Sequence, residues 1–272
     1  MSDTPALTDS LLTLEHRVAT LTFNRHDVRN ALTGTALMED IVQTATWVNH
    51  NTEVSALVVT GAGSAFSSGG NLKEMGELRG RFGEDPVKLQ EDMYRHAIQL
   101  MPLALESVEV PTIAAVNGPA IGAGFDVCNM CDIRIGCSNT VFAEAFINLG
   151  ILPADGGSWF LQRVVGYQRA LELSISGRRV GAEEALKLNI LMEIVAPDSV
   201  LSRATEIARD FASKPPRSVR MTKRLLKAAQ RLELKDLLDM CASMQTVSHQ
   251  MGDHGEAVTA LIENRPPKYS GK

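Results

Sequence analysis

Apolar and polar positions change their spacing along the chain in a way that lays out alternating strands and helices. Leu11 to Glu15 and Val18 to Phe23 alternate with period two and predict a hairpin that turns near Arg17. Thr33 to Asn49 brings Ala36, Leu37, Ile41, Ala45 and Val48 onto one face at helical spacing. Val54 to Thr60 (VSALVVT) is nearly all apolar and rich in β-branched residues, as befits a strand buried on both faces. A glycine-rich loop from Gly61 to Gly70 follows, then a predicted helix over Asn71 to Glu77. Arg79 to Lys88 is polar and punctuated by Gly and Pro, which predicts a mobile loop before a long helix from Leu89 to Ser107. Thr112 to Val116 is a second buried strand ending in the turn Asn117-Gly118-Pro119, and Ile121 to Asn129 predicts a helix that opens with Gly122 and Gly124. Ile133 and Val141 mark further strands, and helices dominate after Asp155.

The recurring unit is strand, glycine turn, helix, which places the chain in the α/β class. No internal repeat or low-complexity tract interrupts it. The expected division is a core over residues 1–198 and a helical C-terminal region over 199–272, folded back on the body or on a neighbouring subunit.

Composition narrows the function. In 272 residues, 44% are hydrophobic, enough for a sizeable core without disulfide or metal. A formal net charge of −5 argues against a general nucleic-acid binder, though local basic clusters can still meet a phosphate-bearing ligand. Met1 to Ser10 is polar, no run has the length of a membrane span, and the four cysteines are too few for a disulfide framework. Cytoplasmic residence, with neither membrane nor nucleic acid as partner, is the expectation.

Candidate chemistry centres on the two glycine turns. Each follows a buried strand and precedes a helix, whose first N–H groups are unpaired and carry partial positive charge. Glycine removes the Cβ atoms that keep a ligand from the backbone. Two such turns converging can cradle one oxyanion, and losing one donor of that kind costs on the order of 100- to 1,000-fold in rate. Other chemistries fit less well. Gly61-Ala62-Gly63-Ser64-Ala65-Phe66 begins like a dinucleotide fingerprint but has Phe66 where the third glycine belongs. Neither a phosphate-loop lysine nor a Gly-x-Ser-x-Gly elbow is present. Cys128 and Cys131 lack a second ligand pair and the six histidines share no metal spacing, so no metal site is predicted.

Asn24-Arg25 with Asn30-Ala31-Leu32, VVTGAGSAFSSGGNLKEM (58–75), AAVNGPAIGAGFDV (114–127), CDIRI (131–135) and Arg265-Pro266-Pro267-Lys268, in this order, closely resemble the crotonase (enoyl-CoA hydratase/isomerase) superfamily. The resemblance runs from about Leu11 to Lys268. It implies a spiral of stacked ββα units, a helical C-terminal region that trimerises, and a homotrimer or dimer of trimers. The implied substrate is an acyl-CoA thioester, hydrated or isomerised through an enolate, with coenzyme A present as part of the substrate and no separate cofactor. Thioester hydrolysis, or acyl-CoA binding without catalysis, is the alternative within the same fold.

Residue by residue, the resemblance implies the N–H of Gly70, after Gly69, and the N–H of Ala123 as oxyanion donors. It places the adenine end near Arg25 to Arg29 and the backbone at Ala65 and Phe66, with Lys73 a candidate for the phosphates. The two glutamates of typical hydratases align with Asp126, shorter by one methylene but one helical turn from Ala123 and so the main acid/base candidate, and with Phe146. Glu144, two residues earlier, is a possible substitute for the second. Asp155 is either catalytic or a cap for the helix after it. Phe82, Phe125, Phe146 and Trp159 are candidates to line an acyl pocket.

Overall fold

A computed structural model describes residues 4–73, 75–76 and 85–272. The end of the expected helix at Glu77, most of the expected loop from Arg79 to Lys88, and Phe82 lie outside the described residues. A six-stranded sheet has the order β1 (Ser10–Glu15), β2 (Val18–Phe23), β3 (Ala56–Gly61), β4 (Thr112–Val116), β6 (Ile133–Cys137) and β9 (Glu193–Val195). Only the β1–β2 hairpin is antiparallel; the other neighbours run parallel. A smaller sheet joins β5 (Ala120–Ile121), β7 (Val141–Ala143) and β8 (Val180–Gly181).

The central strands are buried on both faces because helices cover both. On one side lie α1 (Leu37–His50), α2 (Leu100–Ser107) and α3 (Ala123–Met130), whose apolar residues share a core with Leu21, Leu57 and Ala114. On the other lies α7 (Val200–Ala212), with Val200, Ala204 and Ala208 against Val58, Ile113 and Ile135. Between these come α4 (Gly157–Val165), α5 (Tyr167–Ser176) and α6 (Ala182–Lys187); α8 (Pro216–Ala229), α9 (Leu234–His249) and α10 (Gly252–Ile262) complete the chain. Helix α7 lies beyond residue 198 in sequence yet shares the core of the sheet. No helix among the described residues is long and apolar enough to cross a membrane.

Several elements differ from the sequence expectation for local reasons. Helix α1 starts at Leu37 rather than Thr33, because Gly34 takes a left-handed φ of 73° and the Thr33 hydroxyl accepts from the Asn71 N–H at 2.8 Å. The long helix divides at Gln99, with wide π-type turns over Leu89–Ile98 before α2. The helix expected at Ile121 begins at Ala123, after β5.

Candidate active site

The two glycine turns converge. Gly69 has φ +75°, and a Cβ there would meet the Ile121 carbonyl and stand 3.1 Å from the Ala123 nitrogen. Gly124 is as tightly placed, since its Cβ would stand 2.8 Å from the Ser67 Cβ. Glycine at both positions therefore lets the loop before Gly70 touch the start of α3. Buried Asn30 pins that loop, donating through Nδ2 to the Ala62 carbonyl at 3.0 Å and the Ala65 carbonyl at 2.9 Å. The Gly69 carbonyl accepts from the Leu32 N–H at 2.7 Å. Among the described residues, the N–H groups of Gly70 and Ala123 donate to nothing.

Both residues line a chamber of about 700 Å³. Its walls are apolar, with Met38, Met75, Met93, Met101, Phe146 and Leu149, and its one carboxyl among the described residues is Asp155. A second groove of about 700 Å³ shares Gly70, Ala123, Phe146 and Leu149 with the chamber and runs past Val28, Arg29 and Lys73. Gly70 and Ala123 thus sit where an apolar chamber meets a groove with exposed cations.

An acid cluster runs from Asp155 at the chamber to Asp126 and Glu144 behind its wall. Asp126, in the first turn of α3, is 0% exposed; Glu144, just after β7, is 2%; Asp155, ahead of α4, is 4%. Both carboxyl oxygens of Asp126 and of Glu144, and Oδ1 of Asp155, are sealed from solvent without an N–H or hydroxyl partner. The Asp126 carboxyl touches both of the others. Burial first, then Asp155 and Glu144, pushes Asp126 well above the usual carboxylate range. Burial raises Glu144 to about 7 against the pull of Asp126. Burial also raises Asp155, while a proton on Asp126 and the N–H groups of Asp155 and Gly157 pull it down. No cluster of His, Cys, Asp or Glu among the described residues is arranged to hold a metal ion.

Helical spacing puts Asp126 one turn after Ala123 on the same side, but not in the chamber. Gly156 leads into helix α4, whose first residue is Gly157, and a Cβ on Gly157 would fall 2.7 Å from the Asp126 carboxyl carbon. That close approach seals Asp126 behind Asp155. Gly156 is the residue before α4 and no side chain caps the helix by a hydrogen bond, so Asp155 stands one residue ahead of the capping position.

The remaining site candidates divide. Arg29 and Lys73 border the groove, whereas Arg25 is paired with Asp9 at 3.2 Å and Asp27 at 2.9 Å. Ala65 and Phe66 are buried, Phe66 against Phe23 with ring centroids 5.6 Å apart. Phe125 is fully buried, stacked on Phe142 at 4.7 Å, and does not line the chamber. Trp159 faces a different cavity, its ring covered by the Arg163 guanidinium at 3.6 Å. Cys128 and Cys131 are buried, and burial raises both thiols, which suits packing rather than reactivity. The four methionines of the chamber come from separate segments, so no periodic signal in the sequence announced them.

Comparison with known proteins adds to this geometry. A family model described as enoyl-CoA hydratase/isomerase matches residues 13–272. A short-chain-enoyl-CoA hydratase of Clostridium acetobutylicum is 33% identical over 95% of this chain and 96% of its own. A 1,2-epoxyphenylacetyl-CoA isomerase of Escherichia coli is 29% identical over 95% of this chain and 97% of its own. A crystal structure of a putative enoyl-CoA hydratase from Streptomyces coelicolor superposes with a TM-score of 0.91 at 30% identity, covering 100% of this chain and 98% of that one.

Proposed function

The chain belongs to the enoyl-CoA hydratase/isomerase family, and we propose that within it this enzyme isomerises a 3-enoyl-CoA to the 2-enoyl-CoA with Asp155 as the single proton carrier. The observation that carries this reading is that Asp155 is the one carboxyl, among the described residues, in the chamber onto which the Gly70 and Ala123 N–H groups open. The thioester oxygen lies between those two donors. Asp155 takes a proton from C2, and the released electron pair moves into the enolate, whose oxygen charge the two N–H groups hold. Asp155 then gives the proton to C4 while the pair forms the C2–C3 double bond, so one group serves as base and then as acid.

Hydration through two carboxylates would use a second acid in the chamber, and the apolar ring of Phe146 stands on that wall. Arg29 and Lys73 meet the phosphates of coenzyme A, and the methionine-rich chamber takes an apolar acyl group, because thioethers adapt to irregular shapes. Exposed Leu234, Leu238, Val247, Leu261 and Ile262 on α9 and α10 support assembly of copies into trimers or dimers of trimers. The same reading puts the enzyme in the cytoplasm. The test is a paired assay on 2-enoyl-CoA and 3-enoyl-CoA. Appearance of the conjugated thioester from the 3-enoyl substrate, with little loss of it from the 2-enoyl substrate, is expected. Efficient water addition to the 2-enoyl substrate would replace isomerisation with hydration.

A further inference from the structure

Three carboxyls gathered around Asp126, nearly excluded from water, cannot all carry charge. No Lys, Arg or His forms an ion pair with Asp126, Glu144 or Asp155 among the described residues. Removing each unpaired carboxylate from water is costly, so the cluster retains at least one proton at neutral pH. Asp126 is the central member, touching Glu144 from α3 toward β7 and Asp155 from α3 toward α4. It is also the most deeply buried of the three, at 0% exposure. Oδ1 of Asp155 accepts from no N–H or hydroxyl among the described residues, while the N–H groups of Asp155 and Gly157 act on the same carboxyl. A proton on Asp126 would give that oxygen a donor.

We infer that Asp126 acts as a positioning residue: held neutral behind the chamber wall, its O–H donates to Asp155 and keeps that residue an oriented carboxylate. This inference rests on the proposed role of Asp155. It gives the family-aligned position of Asp126 a different duty from contact with substrate. Asp126 does not line the chamber, so it moves no substrate proton itself. The groups that face it are Asp155 with the Gly157 N–H at the start of α4, and Glu144 after β7; none is cationic. A donor to the charged form of Asp155 lowers its proton affinity, so removing the donor raises it.

The test compares wild type, Asp126→Asn and Asp126→Leu in the pH profile of kcat/KM on a 3-enoyl-CoA. Asp126→Leu deletes the donor and is expected to move the acid limb up by about one pH unit. Asp126→Asn keeps an N–H donor and is expected to return the limb near its wild-type position, with KM little changed in both. Wild-type profiles in both variants would overturn the inference. So would complete loss of turnover in a folded Asp126→Asn, which would make Asp126 itself the proton carrier. Carboxyl carbon NMR titration of Asp155 in wild type and Asp126→Leu needs no turnover. An upward shift in the variant supports the positioning role even where the enzyme proves inactive on 3-enoyl-CoA, and an unchanged titration sinks it.

Discussion

The two ends of the segment that contains α3 bury charge in opposite ways. Near its start, Asp126, Glu144 and Asp155 share a sealed space with almost no donors. Just past its end, Arg134 donates to the Ile190 carbonyl at 2.6 Å, the Cys131 carbonyl at 2.7 Å and the Cys128 carbonyl at 3.3 Å. Asp132 accepts from the Thr112 N–H at 2.7 Å and from Lys223 at 2.6 Å, and Lys223 also donates to the Val110 carbonyl at 2.7 Å. The second cluster is satisfied and joins α8 to the sheet, as a structural network does. The first keeps polar groups unsatisfied at a chamber wall, where strain in protonation can be used for chemistry.

That contrast can be broken by single substitutions. Lys223→Met strips the Val110 carbonyl and the partly exposed Asp132 of their shared donor and should destabilise the fold by about 1–3 kcal/mol, read by denaturant unfolding. Glu144→Gln should act in the opposite sense above neutral pH. Glu144 titrates near 4.5 when unfolded and at about 7 when folded, so its folded, neutral form is favoured at low pH and that advantage is lost as pH rises through about 7. The stability difference between Glu144→Gln and wild type should therefore grow in favour of the variant by roughly 3 kcal/mol between pH 4 and pH 8. A loss of about 1–3 kcal/mol in thermal or denaturant unfolding is expected for Gly157→Ala, whose methyl would press on the immobile Asp126 carboxyl. Equal and same-signed effects of Lys223→Met and Glu144→Gln at pH 8 would erase the distinction between the clusters.

Much of this was legible in the sequence because it depended on local spacing. The buried runs that became β3 and β4 were readable from β-branched composition, and both glycine turns from their place between strand and helix. Strand β9 was not: Glu193–Val195 is three half-buried residues at a sheet edge, too short to carry a period. For Asp126 the side was readable and the depth was not. Its depth is set by the approach of Gly157, thirty-one positions away, and no pattern within one helix encodes that contact. The helix start after Asp155 was visible, whereas the consequence of its Gly157 for a carboxyl on another helix appears only in the packed structure. The satisfied cluster escaped notice for the same reason, since Lys223 reaches Asp132 across 91 residues of chain.

The most direct measurement is turnover of a 3-enoyl-CoA by Asp155→Asn beside Asp126→Asn, with binding of a saturated acyl-CoA measured for both. With Asp155 as the proton carrier, Asp155→Asn is expected to lose about 100- to 10,000-fold in kcat, the range of one general acid–base group, while Asp126→Asn keeps most of its activity and both still bind. Turnover retained in Asp155→Asn and lost in Asp126→Asn, with binding intact, would contradict that role.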